Sequence, residues 1–214
     1  IRARTSSSAL SGAAGSGIAR CYSAAMRARQ PPGRTGHALP RLWLVTDARN
    51  DAVLDRAIAR LPRGAGVIFR HHHLPRPERR RRFEAIRRAC RRRSHRLVLA
   101  APPALARRWR ADGSYAAPAP GVTLATVHGL RAIGRANRMG AVAAILSPVF
   151  ATRSHPGAAG LGRVRFLLLA RHSCVPVIAL GGMTARRFRG LKSYGWAAID
   201  GLSPAPRRAR PQDS

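Results

Sequence analysis

The residues best suited to handling an anion fall at the ends of short apolar runs in this chain. Arg70, His71, His72 and His73 follow GVIF; Thr126 and His128 follow GVTLA; Thr152, Arg153, Ser154 and His155 follow AVAAILSPV. Gly181 and Gly182 close VPVIAL, and Ile199 and Asp200 close GWAA. Hydroxyl and guanidinium groups supply the hydrogen bonds and charge that phosphate or pyrophosphate oxygens need. A glycine pair lets backbone N–H groups approach an anion, and Thr184 can cap a helix that follows it. Side chains alternate faces along an extended strand, so His71 and His73 are expected on one side and Arg70 and His72 on the other. No cysteine or carboxylate nearby completes a zinc ligand set with the three histidines, and no metal ligand is assigned.

These groups can act together only if the runs that carry them converge. Apolar runs at 41–47, 66–72, 96–101, 113–117, 121–125, 141–149, 175–182 and 195–201 read as eight strands. Amphipathic or charged stretches at 52–61, 77–93, 104–110, 130–139, 164–172 and 185–194 read as helices between them. Strands alternating with helices predict a parallel sheet, and eight of them predict a compact single-domain (β/α)8 TIM barrel whose loops at the strand C-terminal ends carry function. A doubly wound sheet is the alternative.

The 214 residues carry 40 Lys+Arg against 8 Asp+Glu, a formal charge of +32, while 45% of residues are hydrophobic. That apolar share excludes a disordered basic tail. Lys192 is the one lysine, an arginine bias that points to coding composition more than to selection for a phosphate backbone. Eleven arginines crowd Arg76 to Arg96, where Phe83, Ile86, Ala89 and Cys90 form a narrow apolar stripe; this reads as a solvated outer helix, with a nucleic-acid contact as the lesser reading. Cys21, Cys90 and Cys174 are far apart and lack metal spacing, which fits a reduced, cytoplasmic setting. No run of 18 apolar residues occurs, so no membrane-spanning helix is expected.

Residues 1–39 have no acidic residue and no sustained apolar period. They read as a basic leader with transit-peptide composition, and Ile1 with Met26 close to the first strand favours an over-extended reading frame or dispensable arm. The barrel is expected over 40–203 and a polar tail over 204–214.

SPVFATRSHPGAAGLG, then VPVIALGGMTARRF and GWAAID, resemble the thiamine phosphate synthase and TenI family, with looser likeness in RLWLVTD, GVIFRHH and ATVHGL. The resemblance implies a (β/α)8 barrel, thiamine biosynthesis, and transfer of a hydroxymethylpyrimidine group from its diphosphate to a thiazole phosphate, with Mg²⁺. The implied partners are these phosphorylated pyrimidine and thiazole substrates; no membrane partner is expected, nucleic acid stays the lesser reading, and a homo-oligomer is compatible. Arg70 would contact the diphosphate, and GVIFRHH as a whole, Ile68, Phe69, Arg70, His71 and His72, would line the substrate. Thr126 would replace the family's substrate-binding serine, Thr152 and Ser154 its Thr-x-Thr pair beside Arg153, and Gly181, Gly182, Ile199 and Asp200 its phosphate segments. Arg70, His72 and His155 are the catalytic candidates, with His128 available for acid–base work. Ala100, Ala101 and Pro102 stand where the family has Asn-Asp-Arg, and GSYAAPAP has no carboxylate, so the expected Mg²⁺ lacks its family ligands. Pro148 replaces the histidine of TenI-type isomerases, the alternative activity.

Overall fold

A computed structural model of the chain describes residues 38–152, 157 and 159–203. Its strands are β1 (Leu42–Val45), β2 (Gly66–Phe69), β3 (Arg96–Leu99), β4 (Gly113–Ala116), β5 (Leu124–Val127), β6 (Ala143–Leu146), β7 (Val177–Leu180) and β8 (Gly195–Ala198). Each pairs in parallel with its neighbour in chain order, and β8 returns to β1, closing the barrel. The chain is therefore a single-domain (β/α)8 barrel, and the doubly wound alternative falls away. A 3-10 turn at Ala48–Val53 leads into the helix Leu54–Arg60. The helices Arg76–Arg92, Pro103–Arg108, Leu130–Arg138, Gly162–Ala170 and Ala185–Arg189 cover the remaining crossovers, and a helix-free loop, 117–123, joins β4 to β5.

Most expected elements are trimmed or shifted at their ends, and two of these differences have a local cause. The Pro- and Gly-broken stretch before Leu124 holds Val122 in the loop, so β5 starts late and Thr126 belongs to the strand. The helix expected at 185–194 stops at Arg189 because Gly190 caps it. No helix among the described residues is long and apolar enough to cross a membrane. The leader through residue 37 and the tail from 204 lie outside the described residues. Leu39, read as leader, packs on the barrel interior, and its carbonyl accepts the Tyr194 hydroxyl at 2.6 Å.

The pleat sorts side chains into two layers. Trp43, Val45, Ile68, Val98, Leu124, Ile145 and Ile178 fill the barrel interior, while Leu44, Val67, Phe69, Leu97 and Leu99 pack outward beneath the helices. Trp43 plugs the floor, its Nε1–H donating to Pro40 O at 2.7 Å. Gly66 leaves it room, since a Cβ there would stand 2.1 Å from Trp43 Cε3. The arginine-rich helix buries the stripe expected of it, with Phe83, Ile86 and Cys90 sealed against β2 and β3. Burial, aided by the Asp112 charge, pushes the Cys90 thiol up to about 12.

Candidate active site

The interior layer stops below the strand C-terminal ends, where the loops enclose a cleft of ≈ 1020 Å³. This is the end at which TIM barrels assemble their chemistry. Arg70, His72, Thr126, His128, Thr152, Gly181, Gly182, Ile199 and Asp200 all line it, joined by Tyr115 and Arg187, which the sequence reading missed. Arg153, Ser154 and His155 lie outside the described residues.

Three expected contacts fail, for two reasons. Ile68 points inward but sits below the cleft as part of the interior packing. Phe69 and His71 point outward on the opposite parity; Phe69 is sealed under the helices and His71 is 1% exposed. Of GVIFRHH, only Arg70 and His72 reach the cleft, and the histidine parity follows the alternation expected of them.

Arg70 is held from two sides. Its N–H donates to Thr46 Oγ1 at 3.0 Å, and its carbonyl accepts Arg79 Nε at 2.7 Å. Its guanidinium lies 3.8 Å from Asp47. Burial works to raise the Asp47 carboxyl, but hydrogen bonds from Arg49 and the charges of Arg49 and Arg70 outweigh it and hold the group below its usual range. Arg49 spans Asp47 at 3.0 Å and Asp200 at 3.4 Å, tying the loop after β1 to that after β8. The Asp200 carboxylate that would repel a phosphate is thereby partly neutralised.

His72 lies where the resemblance implies a lysine. Burial, then the charges of Arg79 and Arg70, pushes its pKa down, so it enters the cleft as a neutral hydrogen-bonding ring. His128 Nδ1 is 2.8 Å from Ser147 O. A carbonyl can only accept, so Nδ1 carries the proton and Nε2 is the nitrogen turned away from that bond. Burial raises the Tyr115 phenol, against the pull of Arg70, which keeps it protonated.

The opposite wall is backbone. Gly181 (φ 100°) and Gly182 (φ 58°) take the left-handed conformations that favour glycine. A Cβ on Gly181 would come within 2.7 Å of Pro148 Cα, and one on Gly182 within 2.5 Å of Ala151 O. Thr184 caps the next helix as expected, accepting Arg187 N–H at 3.3 Å. Arg187 turns back, donates to the Gly182 carbonyl, and lies over the Phe150 ring at 4.7 Å.

The residues present do not suit a magnesium ion. Ala100, Ala101 and Pro102 form an apolar stretch of wall and Ala116 continues it, with no side-chain oxygen to offer a hard cation. The carboxylates near the cleft, Asp47 and Asp200, are engaged by arginine. Among the described residues no group of three or more His, Cys, Asp or Glu is arranged to hold a metal. The Ala100 carbonyl accepts Arg79 Nη2 at 2.9 Å, so a cation stands behind the wall where the resemblance implies a carboxylate.

Fold and cleft together define a (β/α)8 barrel whose strand C-terminal ends enclose a largely apolar cleft edged by arginine, hydroxyl and glycine-backbone groups that suit an anion. Among solved structures, the chain is similar to the thiamine phosphate pyrophosphorylase from Pyrococcus furiosus: TM-score 0.64, 21% identity, covering 77% of this chain and 88% of that one. No family model and no curated protein sequence matches the chain.

Proposed function

We propose that this barrel is a divergent thiamine phosphate synthase that joins hydroxymethylpyrimidine diphosphate to a thiazole phosphate, releasing pyrophosphate. The observation that carries the reading is convergence: Arg70, Thr126, Thr152, Gly182 and Ile199, matched to the family motifs from distant segments, line one cleft. Likeness of fold to a thiamine phosphate pyrophosphorylase supports it. A cleft of ≈ 1020 Å³ has room for two small heterocycles side by side.

In the proposed reaction the bond between the pyrimidine methylene carbon and the diphosphate oxygen breaks, the electron pair leaves with the diphosphate, and the thiazole nitrogen forms the new bond to carbon. Arg70 neutralises the departing charge, which is the electrostatic task such a step demands. Thr126 and Thr152 orient the substrates from β5 and from the loop after β6, and the Gly181–Gly182 wall lets the thiazole phosphate approach the backbone. Arginine supplies the charge at this site, in keeping with the lack of oxygen ligands for Mg²⁺.

Incubation with both substrates, in EDTA and separately in Mg²⁺, tests the proposal. Thiamine phosphate is expected in both, at rates within about threefold; no product in either condition refutes synthase activity. A second reading, isomerisation of a thiazole phosphate without coupling, is favoured by His128, a cleft-lining imidazole oriented through Nδ1 by the Ser147 carbonyl, so that Nε2 is the atom placed for proton transfer at a ring carbon. Isotope exchange into the thiazole phosphate alone, lost in His128→Gln, would select that reading.

A further inference from the structure

We propose that His71, buried outside the cleft, is a positioning residue: wedged between Thr46 and Asp51, it holds the turn after β2 so that Arg70 and His72 face substrate. This rests on the reading of the cleft as a diphosphate site.

The backbone at His71 is left-handed, with φ 42°, a conformation uncommon in residues other than glycine. Such a turn persists only where its surroundings hold it. The strained turn follows the end of β2 at Phe69, and His72 reaches the cleft three residues beyond that strand.

The ring is held on every side. It stacks on Phe69 with centroids 4.6 Å apart and planes 1° from parallel, and it touches the His73 ring at 5.1 Å. Nδ1 lies 2.7 Å from Thr46 Oγ1, the oxygen that already accepts the Arg70 N–H. Nε2 lies 3.0 Å from Asp51 Oδ1, a close polar contact that falls short of an aligned hydrogen bond. A carboxylate at that distance places the proton on Nε2, so Nδ1 accepts the Thr46 hydroxyl proton and Thr46 is free to receive Arg70. Asp51 is fixed by Arg82, at 2.8 Å through Nη2 and 2.9 Å through Nε. The Arg70 peptide is thus clamped at its N–H through Thr46 and His71, and at its carbonyl by Arg79.

Arg79 and Arg82 both belong to the arginine-rich helix Arg76–Arg92. Part of that run is therefore internal scaffolding for the cleft, a role its composition conceals. The charged and titratable groups facing His71 are Asp51 and Arg82 with His73 alongside; burial lowers its pKa first, Asp51 opposes, and His73 and Arg82 reinforce. His71 is consequently the neutral acceptor that Thr46 requires.

The test is calorimetric titration of the full chain with inorganic pyrophosphate, with circular dichroism confirming that each variant is folded at the titration temperature. Arg70→Ala should weaken binding by about tenfold or more, the scale of one charge-assisted contact. His71→Phe keeps the ring stack but loses the acceptor, and should weaken binding by about tenfold. His71→Asn, which tolerates the left-handed backbone and offers Thr46 an oxygen near the place of Nδ1, should recover affinity to within about threefold even if it melts as low as the phenylalanine variant. Wild-type affinity in His71→Phe, with Arg70→Ala impaired, would overturn the positioning role alone. Equal loss in the phenylalanine and asparagine variants, tracking their stability, would also overturn it. Wild-type affinity in Arg70→Ala would overturn the diphosphate reading, and the proposal with it.

Discussion

Replacing Gly182 with alanine should damage both the fold and the cleft, by amounts the geometry separates. Its φ of 58° strains any residue bearing a Cβ, at about 1–2 kcal/mol. The new Cβ would also stand 2.5 Å from Ala151 O and 3.0 Å from both Phe150 Cβ and Arg187 Nη1. Arg187 can swing aside; the Ala151 carbonyl can yield only if the wall moves, and such overpacking costs about 1–3 kcal/mol. Together these come to about 2–5 kcal/mol, and each kcal/mol lowers the melting temperature by about 2–4 °C in a domain of this size. Gly64→Ala is the control, because Gly64 has φ 77° but nothing within 4 Å of its Cβ position, so it incurs the backbone cost alone. Differential scanning calorimetry should find Gly182→Ala melting at least about 2 °C below Gly64→Ala. Titration with the thiazole phosphate should find its affinity reduced by about tenfold or more, with Gly64→Ala unchanged. Equal melting temperatures and equal affinities would refute the account of this wall.

Asp200→Ser removes a half-exposed carboxylate from the cleft rim and frees Arg49, so pyrophosphate affinity should rise by about two- to fivefold in calorimetry. A fall would mean that the Arg49–Asp200 link shapes the cleft more than its charge opposes the ligand. Cys90, with its thiol near 12 and its side chain sealed, should resist iodoacetamide in the native protein at pH 8 while exposed Cys174 reacts, as read by peptide mass mapping. His71, His72 and His95 all have pKa values lowered from 6.5, in each case by burial first. The fold favours their neutral forms, so their contribution is full above about pH 6.5 and is lost as pH falls through the lowered values. Asp47 and Asp51, held below 3.8, lose theirs only in stronger acid. The melting temperature should therefore fall between pH 7 and pH 5, and a flat profile over that range would contradict these placements.

The barrel was legible because each strand is a short, near-continuous apolar run, as strands buried on both faces must be. The cleft was legible where polar residues interrupt those runs at their ends, as at Arg70, His128, Gly182 and Asp200. Tyr115 escaped notice because GSYA is a weak strand and a lone aromatic within it reads as core. Arg187 escaped because ARRFR offers three arginines, and only the backward turn onto Gly182 distinguishes one of them. Ile68, Phe69 and His71 were assigned to substrate because a motif was carried over as a block, although the period-2 rule applied to the histidines separates Phe69 and His71 from Arg70 and His72; Ile68 shares the inward parity and is lost to the cleft only by its depth in the barrel. The clamp on Arg70 could not be read at all, since it joins Thr46, Asp51 and Arg82 across segments that no local pattern connects.

The central claim is that arginine, with Arg70 foremost, answers the charge of a diphosphate in this cleft without a bound metal. Calorimetric titration with inorganic pyrophosphate in excess EDTA, comparing the wild type with Arg70→Ala, tests it most directly. The account expects saturable one-to-one binding in the wild type, weakened about tenfold or more by Arg70→Ala and little changed when Mg²⁺ replaces EDTA. Binding that requires Mg²⁺, or that is indifferent to Arg70, would contradict it.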